Sequence, residues 1–177
     1  MRLHRFFSAV LVAGLIALAA ASCGDNLPTA TAPAAEPTPL LVGDLLSGVG
    51  LLRCTPLPYA SASKVIGTAG GSIQVGPHVL VIPAGALTQS VTIRAEAPSD
   101  YVNSVRLYPE GLQFTRVGAS LTMSYANCNL LGRLLPKRIA YTTEGLNILS
   151  YLLSIDNILK KSVTGRLEHF SRYAVAW

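Results

Sequence analysis

The sequence predicts an all-β antiparallel domain, a sandwich or a barrel, and two observations carry that prediction. From about Lys64 onward apolar residues recur at every second position in short runs, and Gly and Pro residues interrupt the runs. No run of comparable length carries the three-to-four-residue spacing of a long amphipathic helix. Ile73 and Val75, then Val79 and Val81, then Val91, Ile93 and Ala95 each mark one face of a half-buried strand. Gly70-Gly71 and Gly76-Pro77 supply turns between them. Val105 with Leu107, Leu121 with Met123 and Tyr125, and Ile139 with Tyr141 continue the series. Val163, Gly165, Leu167 and His169 alternate with Ser162, Thr164, Arg166 and Glu168, and Tyr173, Val175 and Trp177 complete it. Residues 129–135 and 147–159 each have room for one helical turn, and the longer stretch reads equally as a strand followed by a turn at Asp156-Asn157. Many short strands separated by turn signals define the sandwich or barrel class.

The chain ahead of this domain has a different composition. Arg2 and Arg5 precede an apolar run of about 16 residues, 6–21, which ends in Ala20-Ala21-Ser22-Cys23. A basic start, an apolar stretch and small residues at a boundary describe an export signal, here residues 1–22. The run is shorter than the ~20 residues a spanning helix needs, and Gly24-Asp25-Asn26 after it holds no basic stop-transfer cluster. A cysteine directly after the small residues resembles the lipobox of bacterial lipoproteins, and that resemblance implies acylation of Cys23. Ala20 stands where that family has Leu, and the competing expectation is ordinary cleavage near Ala21, giving a secreted protein with a free Cys23. Residues 23–39 are rich in Ala, Thr and Pro, cannot bury enough apolar surface to fold, and read as a disordered tether. Residues 40–63 form an apolar connecting segment, expected to pack on the domain or lie near the membrane. Gly43 and Gly48 have the spacing of a phosphate-binding loop, but Val49 occupies the place of its lysine, which excludes that function.

Charge and cysteine content narrow the partners. The 177 residues carry a formal net charge of +5, part of it in the signal peptide. Basic residues are not interleaved with a run of aromatics, so nucleic acid is excluded as a partner. Lys160-Lys161 with Arg133, Lys137 and Arg138 are read as a solvated face or as groups attracted to an anionic membrane surface. With Cys23 acylated, Cys54 and Cys128 remain, either as a disulfide in an oxidising compartment or as two buried thiols. A disulfide closing so long a loop contributes about 4 kcal/mol in the chain-entropy model. His78 and His169 lie at no ligand spacing from a cysteine, and neither a metal nor another cofactor is expected.

Several phrases in fixed order then suggest a family. Ala69-Gly70-Gly71-Ser72-Ile73 is followed by Val81-Ile82-Pro83-Ala84-Gly85-Ala86-Leu87, then by Val91-Thr92-Ile93. Next come Gly111-Leu112-Gln113-Phe114 and Ala119-Ser120-Leu121-Thr122-Met123-Ser124-Tyr125, and last His169-Phe170-Ser171-Arg172-Tyr173-Ala174-Val175. Over residues 64–177 this order resembles the ZU5 domain of ankyrins, netrin receptors and many bacterial envelope proteins. The resemblance implies an antiparallel β-sandwich and a non-enzymatic binding or structural module, whose partner is an unspecified envelope protein or polymer. Together with Cys23 it places the chain in the bacterial cell envelope, held by lipid on the extracytoplasmic side.

His169-Phe170-Ser171 carries the only candidate chemistry. In some ZU5-containing proteins such a triplet cuts itself between Phe and Ser, which implies Ser171 as nucleophile, His169 as base and the Phe170 carbonyl as electrophile. The reaction needs backbone strain and an oxyanion donor as well. The structural alternative is a hydrogen-bonded His169 at the core edge, a core Phe170, and Ser171 satisfying a bend between strands. Other catalytic residues are not expected.

Overall fold

The computed structural model describes residues 50–129 and 135–177; the expected signal peptide, Cys23, the expected tether and residues 40–49 lie outside the described residues, as does most of 129–135. Among the described residues eleven strands form two antiparallel sheets packed face to face, a β-sandwich. They are β1 (Ala60–Ile66), β2 (Gly71–Val75), β3 (His78–Ile82), β4 (Val91–Ala97), β5 (Ser104–Tyr108) and β6 (Ala119–Ser124), followed by β7 (Arg138–Thr142), β8 (Ile148–Tyr151), β9 (Ser154–Asn157), β10 (Ser162–Leu167) and β11 (Arg172–Ala176). The six-stranded sheet has the order β1-β4-β5-β11-β7-β8, and the five-stranded sheet β2-β3-β6-β10-β9.

Strand direction gives the sandwich an upper and a lower end. We call upper the end at which Leu51 pairs with Ala176, close to both the start of the described chain and its last residue. The turns 76–77, 98–103 and 158–161 lie at the upper end, and 67–70, 83–90, 109–118, 143–147 and 168–171 at the lower. Two segments switch sheets at the sides of the sandwich: β1 passes into β2, and β8 passes into β9 through Leu152-Leu153. At the second crossing Leu152 N–H donates to Ile139 O (2.9 Å) and Ile139 N–H to Ser154 Oγ (3.0 Å), so the bend keeps its backbone groups paired. The stretch 147–159 is therefore two strands and the start of a turn, with no helical turn.

The core lies between the sheets. Ile73, Val75, Leu80, Ile82, Leu121, Met123 and Val163 face Ile93, Ala95, Val105, Leu107, Ile139, Tyr173 and Val175, all buried. The alternation of β3 runs opposite to the expected face: His78, Leu80 and Ile82 are buried while Val81 is exposed. Both parities of His-Val-Leu-Val-Ile are largely apolar, so periodicity alone cannot orient this strand. The domain also begins earlier than the pattern indicates. Strand β1 opens at Ala60, in small residues with little hydrophobic contrast, and Leu52 and Cys54 from the connecting segment belong to the core.

Glycine is required at Gly70, where φ is +75° and a Cβ would stand 2.4 Å from Ile82 O, so only a residue without a side chain lets β2 start against the end of β3. Cys54 and Cys128 form a disulfide across a sequence separation of 74. It fastens the incoming chain to the segment after β6, beside bonds from Thr55 N–H to Asn127 O (2.9 Å) and Asn129 N–H to Arg53 O (3.1 Å).

His78 shows how burial fixes a protonation state. Its Nδ1 accepts a hydrogen bond from Ser124 N–H (3.1 Å), and burial holds its pKa down to about 4 from 6.5. Below pH 6.5 the unfolded chain binds a proton that the folded chain refuses, so stability is complete above this value and falls as the pH drops toward 4. Urea midpoints measured across that window should register a loss of up to about 3 kcal/mol, and His78→Gln should flatten this part of the profile.

Candidate functional site

Residues 168–171 are the lower-end link by which the chain leaves β10 in one sheet and starts β11 in the other. Such a link must turn and must also seal the gap between the layers. Phe170 does the sealing: it is completely buried and meets the Phe114 ring edge-on, with centroids 5.1 Å apart. Its N–H donates to Leu112 O (2.9 Å) and its carbonyl accepts from Gly111 N–H (2.9 Å). Gly111, at φ +74°, turns the 109–112 segment so that its N–H points at this carbonyl. Ser171 is buried, and its carbonyl accepts from Leu107 N–H (3.0 Å).

His169 is half-buried and bridges to Gln113. Its ring packs edge-on against Tyr141 (5.0 Å between centroids), with Nδ1 3.4 Å from Phe170 O and 3.5 Å from the Tyr173 hydroxyl. Tyr173 donates its O–H to the carbonyl of His169 (2.7 Å), four residues upstream, the same back-bonding device as a tyrosine corner. Burial, reinforced by Tyr141 and Glu168, pushes the Tyr173 phenol above its ordinary pKa, so it stays a neutral donor. A cleft of about 390 Å³ opens beside this link, lined by Tyr141, Tyr151, Leu153, Arg166, His169 and Tyr173 among others.

The three triplet residues thus meet only some of the requirements of acyl transfer. The structure supplies an oxyanion donor, Gly111 N–H, on the susceptible carbonyl. The His169 imidazole lies against that carbonyl, and among the described residues it makes no hydrogen bond to the Ser171 hydroxyl. None of the three residues has a positive φ. Base and nucleophile are therefore neighbours in sequence without being paired in space.

Arg172, the next residue, occupies the outer face of the sheet and is also buried. It donates to the Glu144 carbonyl and to Ser104 Oγ (3.2 Å), and lies 3.8 Å from an Asp100 carboxylate oxygen. Burial first, then the like charge of Arg106 opposite it, lowers its pKa, while Glu144 and Asp100 oppose the shift. Among the described residues no three His, Cys, Asp or Glu side chains group as metal ligands, and no helix is long and apolar enough to cross a membrane.

Sequence reasoning missed Gly111 and Tyr173. The sequence signal for Tyr173 was its position four residues after His169; Gly111 had none, because its role depends on where the 109–118 loop packs. The fold defines the class of protein, an antiparallel β-sandwich. No protein-family model matches the chain, and no curated protein matches it.

The link should behave as a structural joint. Tyr173→Phe leaves the His169 carbonyl without its donor and should cost about 1–3 kcal/mol in chemical denaturation, and Phe170→Ala about 3–5 kcal/mol.

Proposed function

We propose that the protein is a bacterial envelope lipoprotein whose β-sandwich is a non-enzymatic, ZU5-like binding or structural module, anchored through lipid on Cys23 and displayed on a proline-rich tether. The observation that carries this reading is the way the chain is fastened where it joins the domain. Leu52 N–H bonds to Val175 O (2.8 Å), and two residues later Cys54 is tied covalently to Cys128. A pull arriving from an N-terminal anchor meets a disulfide before it reaches β1, and a disulfide persists in compartments outside the cytoplasm.

In a bacterial host the wild-type protein should fractionate with membranes, with a mature mass that includes acyl groups, and Cys23→Ser should move it to the soluble fraction. An unmodified Cys23 in the mature wild-type chain, as secretion after cleavage near Ala21 would give, defeats the anchor.

One observation favours a second reading, self-cleavage: the Gly111 N–H already aimed at the Phe170 carbonyl. In that reading the Ser171 hydroxyl attacks the Phe170 carbonyl carbon, His169 carries its proton to the departing Ser171 nitrogen, and water hydrolyses the resulting ester. His169 would first have to turn from the carbonyl toward Ser171. A structural joint predicts an intact chain in denaturing mass spectrometry after prolonged incubation. Loss of the last seven residues, about 0.85 kDa, abolished by Ser171→Ala, would establish cleavage instead.

A further inference from the structure

The turn between β9 and β10 breaks the rule that hairpin tips are polar. Its residues read Ile158-Leu159-Lys160-Lys161, with Ile158 61% and Leu159 96% exposed. Two neighbouring aliphatic side chains held in water at a loop apex, followed by two lysines, match the chemistry of a lipid interface: apolar groups for the acyl boundary and cations for anionic headgroups. The apex is held firmly. Lys160 N–H donates to Asn157 Oδ1 (3.0 Å), Lys161 N–H to Ile158 O (3.2 Å), and the Lys161 carbonyl accepts from Tyr125 N–H (2.8 Å).

Its position in the fold names the occupant. Strand β10 descends from this turn to the lower end, and β11 climbs back to finish beside Leu51, so the apex projects from the end at which the preceding 49 residues join the domain. Arg53 and Arg138 are exposed at the same end. The acids there are engaged within the protein: Asp156 accepts from the Tyr125 hydroxyl (2.6 Å) and Lys137 N–H (2.9 Å), and Asp100 from Tyr101 N–H (2.7 Å). Paired lysines disfavour a second copy of the same surface, since like charges would face one another.

We propose that residues 158–161 insert into an anionic lipid membrane, seating the upper end of the sandwich on the surface from which the chain is tethered. This deepens the anchored-module reading and rests on it for the presence of that membrane.

The test uses the purified mature protein with Leu159→Cys carrying an environment-sensitive fluorophore, labelled without reductant so that the disulfide stays intact. Gln89→Cys, at an exposed position of the 83–90 loop at the lower end, is the control. With phosphatidylglycerol-containing vesicles the probe at 159 should shift to the blue and be quenched by brominated lipid, while the probe at 89 should not. Pure phosphatidylcholine vesicles should give little insertion. Lys160→Gln with Lys161→Gln should reduce the inserted-to-free ratio about 30-fold, from two headgroup attractions of the usual size. Water-like emission at 159 on vesicles to which the acylated protein is bound overturns the insertion and leaves the anchor standing. If the chain carries no acyl group, Cys23 is replaced by Ser before labelling; a shift at 159 on added anionic vesicles then upholds insertion without the anchor, and its absence overturns it. A concentration-dependent shift without vesicles identifies a second copy as the occupant and also overturns it.

Discussion

Strand β11 has to bury five consecutive residues, Arg172 to Ala176, on both of its faces, and the rest of the molecule is arranged to make that possible. Its backbone is paired with β5 on one side and β7 on the other. Its inner face supplies Tyr173 and Val175 to the core. Its outer face holds Arg172, whose cation would be costly to bury alone and is instead surrounded by Ser104, Glu144 and Asp100. Near its end it is lengthened by pairing with Leu51 and by a bond from its Val175 N–H to Asn103 O (3.0 Å). Its partners β5 and β7 and the incoming Leu51 come from three separate parts of the sequence, and the lower-end link ties it to β10 in the other sheet.

The lower-end link shows how one short phrase satisfies several demands at once. It must reverse direction, change sheets and close the gap between layers within four residues. Phe170 fills the gap, Gly111 and Leu112 take up its backbone groups, and the Tyr173 hydroxyl reaches back to the His169 carbonyl. In space the triplet has its polar backbone groups accounted for. The donor on the Phe170 carbonyl is part of that accounting.

Much of the fold was legible because most strands have one buried face and one wetter face. The contrast is clear in β10, where Val163, Gly165 and Leu167 are buried and their neighbours are not. It disappears in β3, where both faces are apolar and a histidine is the buried residue, and in β1, where alanine and serine differ too little to mark a face. The pairing of Cys54 with Cys128 followed from cysteine arithmetic once Cys23 was set aside. The site was less legible. The triplet could be found by eye, but the donor from Gly111 and the separation of His169 from Ser171 arise from how the loop 109–118 packs on the link, and no local pattern encodes that.

The place of β11 in the sheet has a consequence for the order of events in the life of the chain. β11 follows the other described strands in the sequence and yet occupies the middle of the six-stranded sheet, and β5 and β7, which flank it, are not paired with each other in the finished ladder. Until β11 is in place the sheet is two separate pieces with unpaired edges. A sheet built in this way cannot close strand by strand along the sequence; its two halves stay unjoined until a strand distant in sequence from β4 and β5 docks between them.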